Sequence, residues 1–191
     1  MKNLKKIYDN VNFFIGTKIL NKFYFKLKSG EVRTISHRTS FADRGVIKQI
    51  FLKREYSIEK SKRRNDILDE YNAIISQNKI PLIIDAGANI GASAIWFHDQ
   101  FPKSHIVAIE PNAENFKLLI KNTNGLDIET IEAAIGSTEG FVTLIDPGTG
   151  EWGYQTEEDP NGICKKISAS KIINEKSDLG FVPFIICLLY T

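Results

Sequence analysis

The sequence predicts an α/β fold built around a parallel sheet, and three observations lead to this prediction. After Pro81, short apolar strands alternate with helical patterns, the arrangement that forms parallel sheets with crossover helices. The first strand ends in a carboxylate and passes two glycines into a helix, in the stretch "LIIDAGANIGASAIWF". The chain has 191 residues, 42% of them hydrophobic, which suffices for one domain core and a smaller appendage.

The part of the chain before Pro81 predicts a hairpin followed by helices. Residues 22–35 alternate between apolar and polar side chains around a Ser-Gly turn. The stretch "RGVIKQIFLKREY" and a longer one from about Glu59 to Gln77 place apolar residues at helical spacing. We therefore expect a basic hairpin and helix segment over residues 1–57 and an α/β domain over residues 58–191.

The elements after Pro81 follow from the same patterns. Helices are predicted at about 91–100 and 113–123, and the acidic, Gly- and Pro-rich segment Asp146–Gly162 is predicted to be a long loop. In that loop, Trp152 and Tyr154 either wall a substrate pocket or anchor the loop. Strands are predicted at 82–85, 105–109, 128–131, 140–145, 163–168 and 182–187.

Composition excludes several classes of protein. Two cysteines are too few for a disulfide framework, and the three histidines lack the spacing of metal ligands. The basic start "MKNLKK" is not followed by the apolar core of a secretory signal, and the longest apolar run, Phe181–Tyr190, is too short to span a bilayer. We expect a cytoplasmic protein without a metal, a membrane span or a nucleic-acid partner.

Charge is distributed unevenly along the chain. Residues 1–64 carry 17 Lys/Arg and 5 Asp/Glu, whereas residues 65–191 carry 8 and 18. The basic segment is either an arm for phosphate, anionic glycan or a membrane surface, or a solvated segment that docks on its own acidic domain. Because its basic residues are dispersed among apolar ones, we favour the second interpretation.

The glycine loop has the features of a nucleoside site. Gly87 permits a sharp turn, and Gly91 lets the following helix pack closely and direct its N–H groups towards a ligand. Nineteen residues after Gly91, the second strand ends in Glu110, where such folds place an acid that accepts the hydroxyls of a ribose. The alternative is a sheet turn whose glycines serve backbone geometry alone.

The residues of the loop also discriminate between cofactors. A dinucleotide fingerprint would need glycines where the chain has Asn89 and Ala92, and a phosphate-binding P-loop would need a lysine that the loop lacks. Asp85 would repel a pyrophosphate but suits a ligand with an ammonium and a sulfonium group. S-adenosylmethionine has both groups, a ribose and no phosphate.

Three stretches, "IIDAGANIGASAIWF", "IVAIEPNAENFKLLIKN" and "IEAAIGSTEG", closely resemble the FkbM-type methyltransferases. The resemblance extends from "RTSFADRGVIKQIFLKREY" to "GEWGYQT" and covers most of residues 38–155. It implies a Rossmann-like class I methyltransferase sheet with flanking helices. It also implies S-adenosylmethionine as the cofactor and, as the usual activity, O-methylation of a hydroxyl on a sugar, a glycan or a small natural product.

The resemblance also assigns residues to the site. It implies that Asp85, Gly87, Asn89 and Gly91 line the methionine end and ribose of the cofactor and that Glu110 takes the ribose hydroxyls. In addition, it places Pro111 and Asn112 beside the adenosine and Ala133 beside the adenine, although Ala133 is equally consistent with core packing. Four further residues match the leading segment of the family and are candidates to close over the cofactor: Arg38, Thr39, Asp43 and Tyr56.

The family normally has an acidic motif after the strand that matches "FVPFII", whereas this sequence continues with "CLLYT". We therefore expect a fragment, incomplete at the C-terminus, that lacks the catalytic acid; a natural short variant that docks on a partner is the alternative. No catalytic residue is assigned. Two other functions stay open: an enzyme binding NAD or a nucleotide sugar, and a non-catalytic Rossmann-like binding module.

Overall fold

A computed structural model describes residues 20–146, 148 and 154–188. It begins with the predicted hairpin, in which β1 (Lys22–Lys26) pairs antiparallel with β2 (Val32–Ser36). Helix α1 (Phe41–Ile47) follows, is capped by Ser40, and continues into a π-helical turn at Lys48–Leu52. The sequence prediction of a hairpin followed by a helix is confirmed.

The second predicted helix begins later than expected. A short 3₁₀ turn, Ile58–Lys60, comes first, and helix α2 (Arg64–Ser76) follows. Ser61 has an extended backbone (φ −81°, ψ 136°), which separates the two. The apolar stripe therefore predicted one helix where the chain forms a turn and a helix.

Four parallel strands form the main sheet, as the alternating pattern predicts. They are β3 (Ile80–Ala86), β4 (His105–Glu110), β5 (Ile128–Glu132) and β10 (Phe181–Leu188), in the order β10-β3-β4-β5. Helix α3 (Ala92–Gln100) connects β3 to β4, and helix α4 (Ala113–Thr123) connects β4 to β5. The fold is therefore α/β and Rossmann-like.

The chain also forms a second, four-stranded sheet, which the sequence pattern did not predict. It contains β6 (Ala134–Gly136), β7 (Gly140–Ile145), β8 (Gln155–Glu158) and β9 (Cys164–Ser168), in the order β6-β9-β7-β8. Strand β7 is antiparallel to both β8 and β9. Strands β7 and β9 were predicted, whereas β6 was not. Alternation of side chains reveals a strand but not its partner, so the antiparallel pairing of β7 was not predicted.

Two further features were not predicted. Strand β8 lies inside the segment Asp146–Gly162, which was predicted to be a loop throughout. Helix α5 (Ala169–Ser177) connects β9 to β10, and its N-cap Ser168 accepts a hydrogen bond from the Lys171 amide. A serine before a helix of mixed polarity is a weak signal on its own.

The main sheet is buried on both faces, as parallel sheets usually are. Alternate residues of β3 face opposite cores: Ile83 packs in one hydrophobic cluster, and Leu82 and Ile84 pack in the other. The first cluster also contains Phe23 and Ile35 from the hairpin. The hairpin thus shares a core with the main sheet and packs against the helices that begin at the carboxyl edge of that sheet.

Candidate functional site

The strand order of the main sheet reverses at β3, between β10 and β4. From β3 the chain passes to β4 and β5 on one side, and it reaches β10 on the other. Ligands of doubly wound sheets bind at such a reversal of strand order, beyond the carboxyl ends of the strands. Asp85 lies there, in register with Cys187 on β10 and Ala108 on β4.

Asp85 is a buried carboxylate with little compensation for its charge. Its side chain is fully buried, and its Oδ2 accepts a hydrogen bond from the Ser93 hydroxyl at 2.6 Å. Its Oδ1 accepts no hydrogen bond within the described part of the chain. Burial raises the pKa of Asp85 to about 6, although the Ser93 hydroxyl and the Cys187 thiol lower it. A cationic group would therefore interact favourably with this carboxylate.

The glycine loop between β3 and α3 is fixed by the backbone of the neighbouring strand. The amides of Gly87 and Ala88 both donate to the Ile109 carbonyl, at 2.8 and 2.9 Å. Asn89 has a left-handed backbone (φ 49°), and its amide donates to Glu110 Oε2 at 2.8 Å. Three successive N–H groups of the loop are therefore used within the protein.

Gly91 is required by helix packing, as the sequence predicts. It has a φ of +87° and precedes α3 as its N-cap. A Cβ atom at this position would lie 2.9 Å from Leu119 Cδ1 and 3.3 Å from Thr123 Cγ2, both on α4. Gly91 thus permits α3 and α4 to approach each other beside the loop.

Glu110 is a second buried carboxylate, but hydrogen bonds surround it. Its Oε2 accepts from the Asn89 amide, and its Oε1 accepts from the Asn112 amide at 3.0 Å and from Asn115 Nδ2 at 3.1 Å. Burial raises the pKa of Glu110, while these donors and the charge of Arg38 lower it. Because β3 and β4 are adjacent, Asp85 and Glu110 lie at the ends of neighbouring strands.

The leading segment of the chain reaches this site. Arg38 forms an ion pair with the buried Asp43 and also donates to Asn115. Tyr56 is half-buried and packs on Phe97 with ring centroids 5.8 Å apart. Burial raises the pKa of Tyr56, and the charges of Cys187 and Asp85 raise it further. Tyr56 therefore keeps its phenolic proton at neutral pH.

The other predicted site residues have different positions. Asn112 caps α4, since its side chain accepts from the amides of Glu114 and Asn115. Pro111 is partly exposed beside it, and its carbonyl faces the Cys164 thiol at 3.8 Å. Ala133 is fully buried in the second hydrophobic cluster, on the opposite face of the sheet from the hairpin.

Two further predictions concern aromatic residues of the acidic segment. Trp152 lies outside the residues that the structure describes. Tyr154 is partly exposed and immediately precedes β8. Its role as a pocket wall or a loop anchor stays a prediction.

Sequence reasoning missed Ser93 and Asn115, the two side chains that bond directly to the carboxylates. Each lies in the first turn of the helix that follows its strand. A polar residue at the start of a helix was available as a signal, because that position faces the carboxyl edge of the sheet.

Among the described residues, no group of three potential ligands is placed to bind a metal ion. None of the helices in the described ranges is both long and apolar enough to cross a membrane.

Comparison with known proteins gives one similar structure. No protein-family model matches the sequence, and no curated protein is significantly similar to it. Among solved structures, the chain is similar to the plantazolicin methyltransferase BpumL in complex with SAH, with a TM-score of 0.27 and 16% identity. The match covers 48% of this chain and 43% of that one, so the chain spans less than half of its neighbour's length.

Proposed function

We propose that the chain is an S-adenosylmethionine-dependent methyltransferase of the FkbM type that methylates a hydroxyl of a sugar, a glycan or a small natural product. One observation carries the proposal. Asp85 and Glu110 are buried carboxylates at the carboxyl ends of adjacent strands, and loop amides orient one of them. The acceptor class rests on the resemblance of the sequence to that family.

Glu110 has room for one further donor. An ionised carboxylate offers about four lone-pair sites, and the amides of Asn89 and Asn112 and the side chain of Asn115 take three. The free site on Oε2 suits a ribose hydroxyl. The protein donors hold the carboxylate in place, so little reorganisation is needed when a nucleoside binds.

Asp85 suits the charged end of the same cofactor. Its Oδ1 is buried without a hydrogen bond among the described residues, and a carboxylate in that state gains most from a cation. When bound, S-adenosylmethionine supplies a methyl group activated by its sulfonium. The role of the residues described above is to bind and orient it, and Tyr56 can contribute a hydrogen-bond donor but not a base at neutral pH.

The loop argues against a dinucleotide. Binding of a pyrophosphate relies on free backbone N–H groups in the turn after the first strand. Here the amides of Gly87 and Ala88 are bonded to the Ile109 carbonyl, and the Asn89 amide is bonded to Glu110. The carboxylate of Asp85 adds a repulsive charge beside the turn.

Isothermal titration calorimetry with S-adenosylhomocysteine tests the proposal. We expect the chain to bind it and to bind NADH at least tenfold more weakly. Glu110→Gln should weaken the binding of S-adenosylhomocysteine by about 1.5–3 kcal/mol, roughly 10- to 150-fold in Kd. The reason is that the NH₂ group of the glutamine side chain would face the N–H groups of the loop.

The matched control is Glu114→Gln. Glu114 lies four residues further along, is exposed, and pairs with Lys117 at 2.6 Å. Its substitution should leave the Kd within about twofold, in line with the small effect of exposed ion pairs. The proposal is wrong if folded wild-type protein does not bind S-adenosylhomocysteine, binds NADH more tightly, or binds equally well with Glu110→Gln.

A further inference from the structure

A continuous series of hydrogen bonds joins the leading segment of the chain to the site. It begins at Asp43 in α1, which is fully buried. The Arg38 guanidinium contacts both oxygens of this carboxylate, with Nη2 2.7 Å from Oδ1 and Nε 3.0 Å from Oδ2. The Arg38 amide also donates to Oδ2 at 2.7 Å. Such a two-point contact fixes the plane of the guanidinium.

Arg38 then determines the orientation of a buried amide. Its Nη2 donates to Asn115 Oδ1 at 2.7 Å, and Asn115 Nδ2 donates to Glu110 Oε1 at 3.1 Å. A guanidinium can only donate, so it requires the oxygen of Asn115 on its own side. The NH₂ group of Asn115 must therefore face Glu110, in the orientation that a carboxylate can accept.

These contacts are shielded from water. Asn115 is 1% exposed and Glu110 is 4% exposed. Hydrogen bonds in such surroundings are stronger than in water, and a donor without an acceptor destabilises the protein more than it would at the surface. A change in the orientation of Asn115 would thus act directly on the carboxylate.

We propose that Arg38 is a positioning residue of the nucleoside site: it holds Asn115, and through Asn115 it holds Glu110 in the geometry that accepts a ribose hydroxyl. The inference rests on the proposed function, because it takes Glu110 as the ribose acceptor. It gives the basic leading segment a role within the site. That segment would belong to the binding machinery for ribonucleosides, with Arg38 acting through Asn115.

The chain offers a control in Arg33, which lies on the strand before Arg38. Arg33 on β2 donates through Nη2 to the Asn124 carbonyl at the end of α4, at 2.6 Å, and pairs with Glu31 at 3.0 Å. It also joins the hairpin to α4, but its partners are not bonded to Glu110. Arg33→Lys therefore weakens the docking of the hairpin without altering the contacts of Asn115.

The experiment is a double-mutant cycle read by calorimetry with S-adenosylhomocysteine. Arg38→Lys keeps a positive charge near Asp43 but loses the planar fork that reaches both partners. We expect it to weaken binding about 5- to 20-fold in the wild-type background and less than twofold in the Glu110→Gln background. Arg33→Lys should change the Kd less than twofold in both. An equal loss in the two backgrounds, or a loss with Arg33→Lys as large as with Arg38→Lys, would overturn the inference.

A readout without a ligand separates this inference from the proposed function. In the free protein, Arg38→Lys should shift the NMR signals of the Asn115 side-chain amide and the Glu110 carboxyl carbon, and Arg33→Lys should leave both unchanged. Unchanged Glu110 and Asn115 signals in folded Arg38→Lys protein would overturn the positioning role, whether or not the protein binds S-adenosylhomocysteine. A shift without any binding would contradict the proposed function instead.

Discussion

The ends of β3 and β4 differ in how they accommodate a buried acid. Glu110, at the end of β4, accepts three hydrogen bonds, from two backbone amides and one asparagine. Asp85, at the end of β3, accepts a close hydrogen bond from the Ser93 hydroxyl and is also stabilised by the Cys187 thiol, and its Oδ1 has no hydrogen bond within the described ranges. Both side chains are almost completely buried.

The difference indicates two kinds of binding group. Glu110 is preorganised, since protein donors stabilise its charge before any ligand is present. Asp85 is desolvated without equivalent compensation, and this raises its pKa to about 6. A cation could supply the missing stabilisation. The site thus combines a fixed acceptor for hydroxyl groups with an acid whose charge is stabilised when a cation binds.

Substitution of each acid by its amide should change stability in opposite directions. The rise in the pKa of Asp85 from 3.8 to about 6 corresponds to about 3 kcal/mol at pH 8, so Asp85→Asn should raise the free energy of unfolding by up to about that amount. Glu110→Gln should lower it by about 1–3 kcal/mol, because an NH₂ group would face N–H donors. Urea unfolding at pH 8 measures both. A loss of stability with Asp85→Asn would show that the charge of Asp85 is compensated as well as that of Glu110.

The pH dependence of stability should come from Asp85 in a defined window. Its folded pKa is above its unfolded value, so its contribution is fully present below about pH 3.8 and is lost as the pH rises through about 6. Between pH 4 and pH 8 the free energy of unfolding should fall by about 2 kcal/mol relative to Asp85→Asn. Urea unfolding of the wild type and of Asp85→Asn over this pH range measures the difference. If the free energies of unfolding of the two proteins changed equally with pH, the pKa of Asp85 would not be raised.

Removal of the serine donor to Asp85 should have the smallest effect. Ser93→Ala should raise the pKa of Asp85 further and lower stability at pH 8 by about 1–2 kcal/mol, since a bond to a charged group is lost. A ¹³C titration of the Asp85 carboxyl measures the pKa. Ser104→Ala is the control, because Ser104 is a buried serine whose hydroxyl has no hydrogen bond in the described ranges. An unchanged titration in Ser93→Ala would mean that Ser93 does not stabilise the ionised form.

The two strand ends also show what the sequence could predict. Asp85 and Glu110 were identifiable because each terminates an apolar run before a helix, and strand ends at a carboxyl edge meet in space. The position of Asn115 in the first turn of α4 was a local signal, but its contact with Arg38 was not predictable, because that contact links residues 77 positions apart. The antiparallel pairing of β7 was missed for a related reason: a strand's alternation leaves its partner undefined. Local patterns predicted the strands, and long-range contacts determined the second sheet and the support of Glu110.

A crystal structure of the chain with S-adenosylhomocysteine tests the central claim most directly. We predict that a ribose hydroxyl lies within about 2.5–2.7 Å of a Glu110 oxygen and that the amino group of the ligand lies closer to Asp85 than to Glu110. The amides of Asn89 and Asn112 should keep their contacts with Glu110. A ligand bound with its ribose away from Glu110, or with its amino group away from Asp85, would contradict the account.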